Sequence, residues 1–144
     1  MGEDNLKGSP ILGRQSISFS QAPYMISSAS VVGQKEGDGP LGKFFDAVCH
    51  EPMFGEDTWE AAESTMQRQA CVLALGKAGM KQEEIRFLFG GDLLRQGTAT
   101  SLGVEKFQIP LFGLYGACST SGEALALASM SVAAGYGETF MAVT

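Results

Sequence analysis

The sequence has one histidine, one tryptophan and three cysteines among its 144 residues, and only 18% of it is charged. Each shortage closes off a class of protein. A histidine-based catalytic group or metal centre has a single imidazole to draw on, His50. It lies in an irregular stretch before Pro52, outside any ligand pattern, and reads as a surface residue. Cys49, Cys71 and Cys118 have no metal-ligand spacing, so no metal site and no cofactor is expected. Their odd number also argues against a disulfide framework, and a reducing, intracellular setting is the simplest reading. Ten basic residues are scattered against sixteen acidic ones, for a net charge of −6, which leaves no electrostatic footprint for nucleic acid. No apolar run approaches the length of a membrane span. The start, Met1-Gly-Glu-Asp-Asn-Leu-Lys, lacks the basic-then-apolar order of a secretory signal, and Leu6 argues against myristoylation. The expected state is soluble, with any membrane association peripheral and made through partners.

Hydrophobic residues make up 44% of the chain, and nineteen glycines fall between the apolar runs rather than in one tract. That pattern marks turns and close backbone approaches within one folded unit. Residues 1–15 read as a polar leader. Ile17 and Phe19 alternate with serines, and residues 24–32 are rich in β-branched and small side chains, so two strands are expected with a turn at Pro23. Residues 34–42, with three glycines and a proline, read as a surface loop.

A helix is expected from Asp57, with Asp57 and Glu60 as a capping box and Gly79 as the C-cap. Trp59, Ala62, Met66, Ala70 and Leu73 form its apolar stripe; Glu60, Glu63, Gln67 and Arg68 lie off it. Cys71, near the stripe, reads as a small buried hydrophobe. Three nearly continuous apolar runs follow, at residues 85–89, 109–115 and 139–143, as expected of parallel strands buried on both faces. Residues 98–106 and 119–134 are long enough to be the crossover helices between them. The expected class is therefore α/β with a mostly parallel sheet. Residues 122–134 carry one charge, Glu123, and are otherwise small or apolar. A helix apolar on every side is buried on every side, which points to a thicker molecule than one sheet with surface helices.

Chemistry concentrates where the run 109–115 meets that helix, in Leu114-Tyr-Gly-Ala-Cys-Ser-Thr-Ser-Gly-Glu. Cys118 falls at the junction, where free backbone N–H groups and the positive end of the helix dipole favour a thiolate or an anionic ligand. Ser119, Thr120 and Ser121 can cap the helix or offer hydroxyls. Ligands of open α/β sheets bind beyond the carboxyl ends of the strands, and Asp92 of Gly90-Gly91-Asp92-Leu93-Leu94 follows another such end. Asp92 reads either as a ligand-site or helix-positioning carboxylate, or as a turn aspartate bonding its own backbone. Cys118 reads either as a functional thiol or as a buried structural one.

Gly116-Ala-Cys-Ser-Thr-Ser, opening a helix of small residues, resembles the nucleophile segment of thiolases and ketoacyl-carrier-protein synthases. With Asp38-Gly-Pro-Leu-Gly, Gly91-Asp-Leu-Leu and Ile109-Pro, the chain from about Gln15 onward resembles, within that thiolase-like superfamily, the stage V sporulation protein AD family. The resemblance implies one half, over residues 16–144, of an α-β-α-β-α layered fold with a buried central helix, ending before the second half. It implies a homodimer. It also implies a non-catalytic protein of spore formation in Firmicutes that binds dipicolinic acid, free or with calcium, for uptake into the developing spore. Membrane components of the same transport system at the inner spore membrane would be its partners, and Asp92, Cys118, Ser119 and Thr120 would line the ligand pocket. The alternative is an acyltransferase of the thiolase or ketoacyl synthase class with Cys118 as nucleophile, although the histidines that such enzymes use are absent from these residues. A third reading is a folded remnant without a ligand.

Overall fold

A computed structural model describes residues 11–144. Ile11–Leu12 (β1) and Ser16–Ile17 (β2) form a short antiparallel ladder. The polar leader expected over residues 1–15 lies outside the described residues as far as residue 10. Val31–Gly33 (β3) and Ala47–Cys49 (β4) pair in parallel across a connection that contains one helical turn, Gln34–Gly37 (α1), and a 3₁₀ turn, Gly42–Phe44. Two expectations are corrected here. Only the end of 24–32 is a strand, and the loop expected over 34–42 begins as helix. The preceding segment has no regular structure, and Ser27 anchors it by donating its hydroxyl to the Ala74 carbonyl (2.7 Å).

The long helix α2 spans Trp59–Ala78. Its N-cap is Thr58, whose hydroxyl accepts from the Ala61 N–H. The cap thus falls one residue after the expected Asp57, and with Ala61 at the third helical position no capping box forms. Gly79, at φ 67°, closes the helix in the left-handed conformation that glycine adopts without steric cost. The buried face is also rotated from the expected stripe. Ala62, Ser64, Thr65, Gln67, Cys71 and Leu75 point inward, while Trp59 is 61% exposed. The reason lies in what α2 packs against. Helix α3 (Thr98–Val104) approaches closely through Gly103, where a Cβ would come within 2.7 Å of the Ser64 carbonyl oxygen. The Ser64 hydroxyl bonds the Ala99 carbonyl (2.7 Å). Small and polar residues therefore occupy the contact.

The central sheet has three parallel strands in the order β6-β5-β7: Leu88–Gly90 (β5), Leu111–Gly113 (β6) and Met141–Val143 (β7). Period-two alternation divides its faces. Leu88, Met141 and Val143 join Cys71, Leu75, Val104 and Phe107 in the core on the side of α2 and α3. Leu88 is fully buried, worth about 1.5–3 kcal/mol relative to exposure. Phe87, Phe89, Phe112 and Phe140 contact one another on the opposite face. Leu127 and Ser131 of helix α4 (Thr120–Ala133) border them there.

One expectation about burial fails. β6 is an edge strand with Phe112 half exposed, not a strand buried on both faces. Helix α4 buries only Thr120 and Ala124 and leaves Leu125 47% exposed, the apolar surface expected of one half of a layered fold taken alone. One sheet covers one side of a helix, and no described element stands over the other. No helix among the described residues is long and apolar enough to cross a membrane.

Candidate functional site at the strand ends

The parallel ladder carries β5 and β6 to the same rim, and the chain leaves each in a glycine-rich turn. The two turns touch. The Leu114 N–H donates to the Gly90 carbonyl (2.8 Å). Gly91 lies so close to the Leu114 carbonyl that no side chain fits, and a Cβ there would also come 3.1 Å from Thr120 Cγ2. Asp92 and the Cys118 segment are thus brought together through Gly91.

Asp92 is 6% exposed. Its Oδ1 accepts from the N–H groups of Arg95 (3.1 Å) and Gly97 (3.0 Å). Its Oδ2 accepts from the Thr100 N–H (2.9 Å) and the Thr100 hydroxyl (3.0 Å). Burial pushes this carboxyl up, but bonds from Thr100, Gly97 and Arg95 together outweigh burial and hold it below the ordinary aspartate range. The carboxylate pins the loop and the first turn of α3, which is the helix-positioning arrangement.

Residues on α2 grip the same loop. Glu60 pairs with Arg95 (2.9 Å), Gln67 donates to the Gly91 carbonyl (3.3 Å), and Glu63 accepts from the Leu93 N–H (3.4 Å). Burial, set against bonds from Leu93 and Leu94, raises the Glu63 carboxyl above its ordinary value, with Asp92 and Glu60 adding to the rise. The sequence placed Glu63 and Gln67 off the apolar stripe. Gln67 and Cys71 turn inward where Met66 and Ala70 were expected, and that rotation follows the close approach of Gly103 in a different element.

The Cys118 turn is built differently. Ala117 has φ 49°, a left-handed conformation costly for a residue with a Cβ, and a 3₁₀ turn, Ala117–Ser119, runs directly into α4. The N–H groups of Ser119 and Thr120 close onto the carbonyls of Gly116 and Ala117. Cys118 is exposed, not a buried thiol, and its sulfur has no hydrogen-bond partner among the described residues. Ser119, also exposed, caps nothing. Its hydroxyl lies within bonding reach of the Gly116 carbonyl (2.8 Å) and the Glu123 carboxylate. Thr120 is fully buried and faces Gly91. His50 directly follows β4, in another sheet, and is exposed. Cys71 is buried in the core, and burial pushes its thiol up to about 12.

The family model for stage V sporulation protein AD (SpoVAD) matches residues 13–144. The chain belongs to the stage V sporulation protein AD family. Stage V sporulation protein AD of Bacillus subtilis (strain 168) is 34% identical to it over 134 residues, covering 93% of this chain. The chain spans about 40% of the length of that relative. The match to SpoVAD takes in both rim turns, the Gly91-Asp-Leu-Leu segment and the Cys118 turn, so this chain is a sporulation protein of that family built on an α/β framework.

Proposed function

We propose that this chain is a thiolase-like half-domain that binds dipicolinic acid, free or with calcium, for uptake into the developing spore, and that the ligand meets the Cys118–Ser119 turn. One observation carries the reading: Cys118 stands exposed at the start of a fourteen-residue helix, with no hydrogen-bonded base at its sulfur among the described residues. A helix start favours a compact anion. Thiol chemistry without a partnered base favours binding over turnover. In the same reading, homodimerisation and docking to membrane components of the transport system are the wider setting.

The neighbouring charge bears on the form of the ligand. The Glu123 carboxylate folds back over Gly116 and Ser119, and the chain is acidic overall. A bare dianion approaching this turn meets a carboxylate, whereas its calcium complex does not carry that repulsion. The test is a calorimetric titration of dipicolinic acid, with and without calcium, into the folded chain and into Cys118→Ala. Saturable binding that is tighter with calcium and weakened in the variant supports the proposal. Absence of heat from folded protein under both conditions sinks it, and a stable acyl adduct on Cys118 after incubation with an acyl thioester would favour the acyltransferase instead.

A further inference from the structure

Three buried oxygen atoms around the Gly91 turn have no hydrogen-bond partner among the described residues: Glu63 Oε2, Gln67 Oε1 and the Thr120 hydroxyl. All three side chains border one short stretch of backbone. Gln67, 4% exposed, holds the Gly91 carbonyl through Nε2. Glu63, one turn earlier on the same face of α2, holds the Leu93 N–H through Oε1. Thr120, fully buried, sets its methyl against Gly91 from α4. A buried polar atom left unpaired costs about 1–3 kcal/mol, so three at one turn would offset a large part of the roughly 5–15 kcal/mol by which a domain is stable.

Their chemistry is complementary. The amide and carboxylate oxygens accept and the hydroxyl can donate. A water molecule offers two donors and an acceptor, and buried waters make about three such bonds. We infer that one buried water joins Gln67, Glu63 and Thr120 beside Gly91, and that Gln67 is thereby a positioning residue for the Cys118 turn. The link runs from α2 to Thr120, whose own N–H closes onto Ala117, the residue held at positive φ. Fixing Thr120 fixes the turn two residues before it. The functional weight of this link rests on the Cys118 turn being the ligand site, but its test needs no ligand, so failure of dipicolinate binding leaves it decidable.

The test is amide hydrogen exchange of the segment 114–120, read by mass spectrometry. Gln67→Leu and Thr120→Val are each expected to speed exchange there about tenfold, as loss of one buried link would. The double variant should add nothing further, and Thr120→Ser, which keeps the hydroxyl, should exchange as the parent does. Leu75→Ala, on the same helix but in the core, should leave this segment unchanged even where it lowers the melting temperature as much. Additive effects in the double variant, or an equal rise in Leu75→Ala, would overturn the inference. If Gln67→Leu does not fold, Thr120→Val against Thr120→Ser decides alone, and equal exchange in those two refutes the link.

Discussion

Two turns of similar composition stand side by side at one rim of the sheet. The Asp92 turn is closed: its carboxylate is buried, four donors converge on it, and three residues of α2 hold the loop around it. The Cys118 turn is open: its thiol and its neighbouring hydroxyl face solvent. Each turn holds one non-glycine residue in the left-handed region, Gln96 in the first and Ala117 in the second, so exposure and not strain distinguishes them. Polar residues beyond strand ends are therefore not equivalent. Saturation of hydrogen bonds gives the first turn a scaffold's arrangement, while exposure is the feature on which the proposed ligand role of the second rests.

The contrast breaks most easily at Gly91, where the turns meet. Gly91→Ala drives a methyl into the Leu114 carbonyl and towards Thr120, and should cost about 3 kcal/mol or abolish folding, read by urea denaturation. Asp92→Ala removes the acceptor of four bonds and should cost about 2 kcal/mol. The sign of its pH dependence follows from the depressed carboxyl. The Asp92 contribution is complete above the ordinary aspartate value of 3.8 and fades as pH falls through the lower folded value, which acid titration of the melting temperature would detect.

Glu63 has the opposite sign. Its folded carboxyl is raised above 4.5, so the folded chain holds that proton more tightly than the unfolded one, and stability declines as pH rises from 4.5 through the raised value. Glu63→Gln should flatten that decline and add under about 1 kcal/mol at neutral pH, the partial exposure of the group keeping the effect small. Cys118→Ala touches nothing that holds the fold and should change stability by less than about 0.5 kcal/mol. A loss comparable to that of Asp92→Ala would erase the distinction between the two turns.

Sequence alone made the framework legible where local signals govern. Gly79 as a C-cap, the crossover helices, the parallel class of the sheet and the strand–helix junction at Cys118 all follow from spacing and turn chemistry. It misplaced features set by distant contacts. The inward face of α2 follows Gly103 and Ala99, so Gln67 and Glu63 read as lying off the apolar stripe. Thr58 displaced Asp57 as the cap because either residue type suits that position. β4 is three residues in an irregular stretch, too short for a period to show. Exposure of Cys118 could not be read locally, because composition reports what a segment could bury and not what stands over it.

The most direct test of the central claim is protection of Cys118. Folded protein is treated with iodoacetamide, with and without saturating dipicolinic acid and calcium, and modification of each cysteine is followed by peptide mass spectrometry. The account predicts that Cys71 stays unmodified while the protein is folded, that Cys118 reacts, and that the ligand slows Cys118 alone while the rate at Cys49 holds constant. Calorimetric binding accompanied by undiminished modification of Cys118 would place the ligand elsewhere and contradict the account.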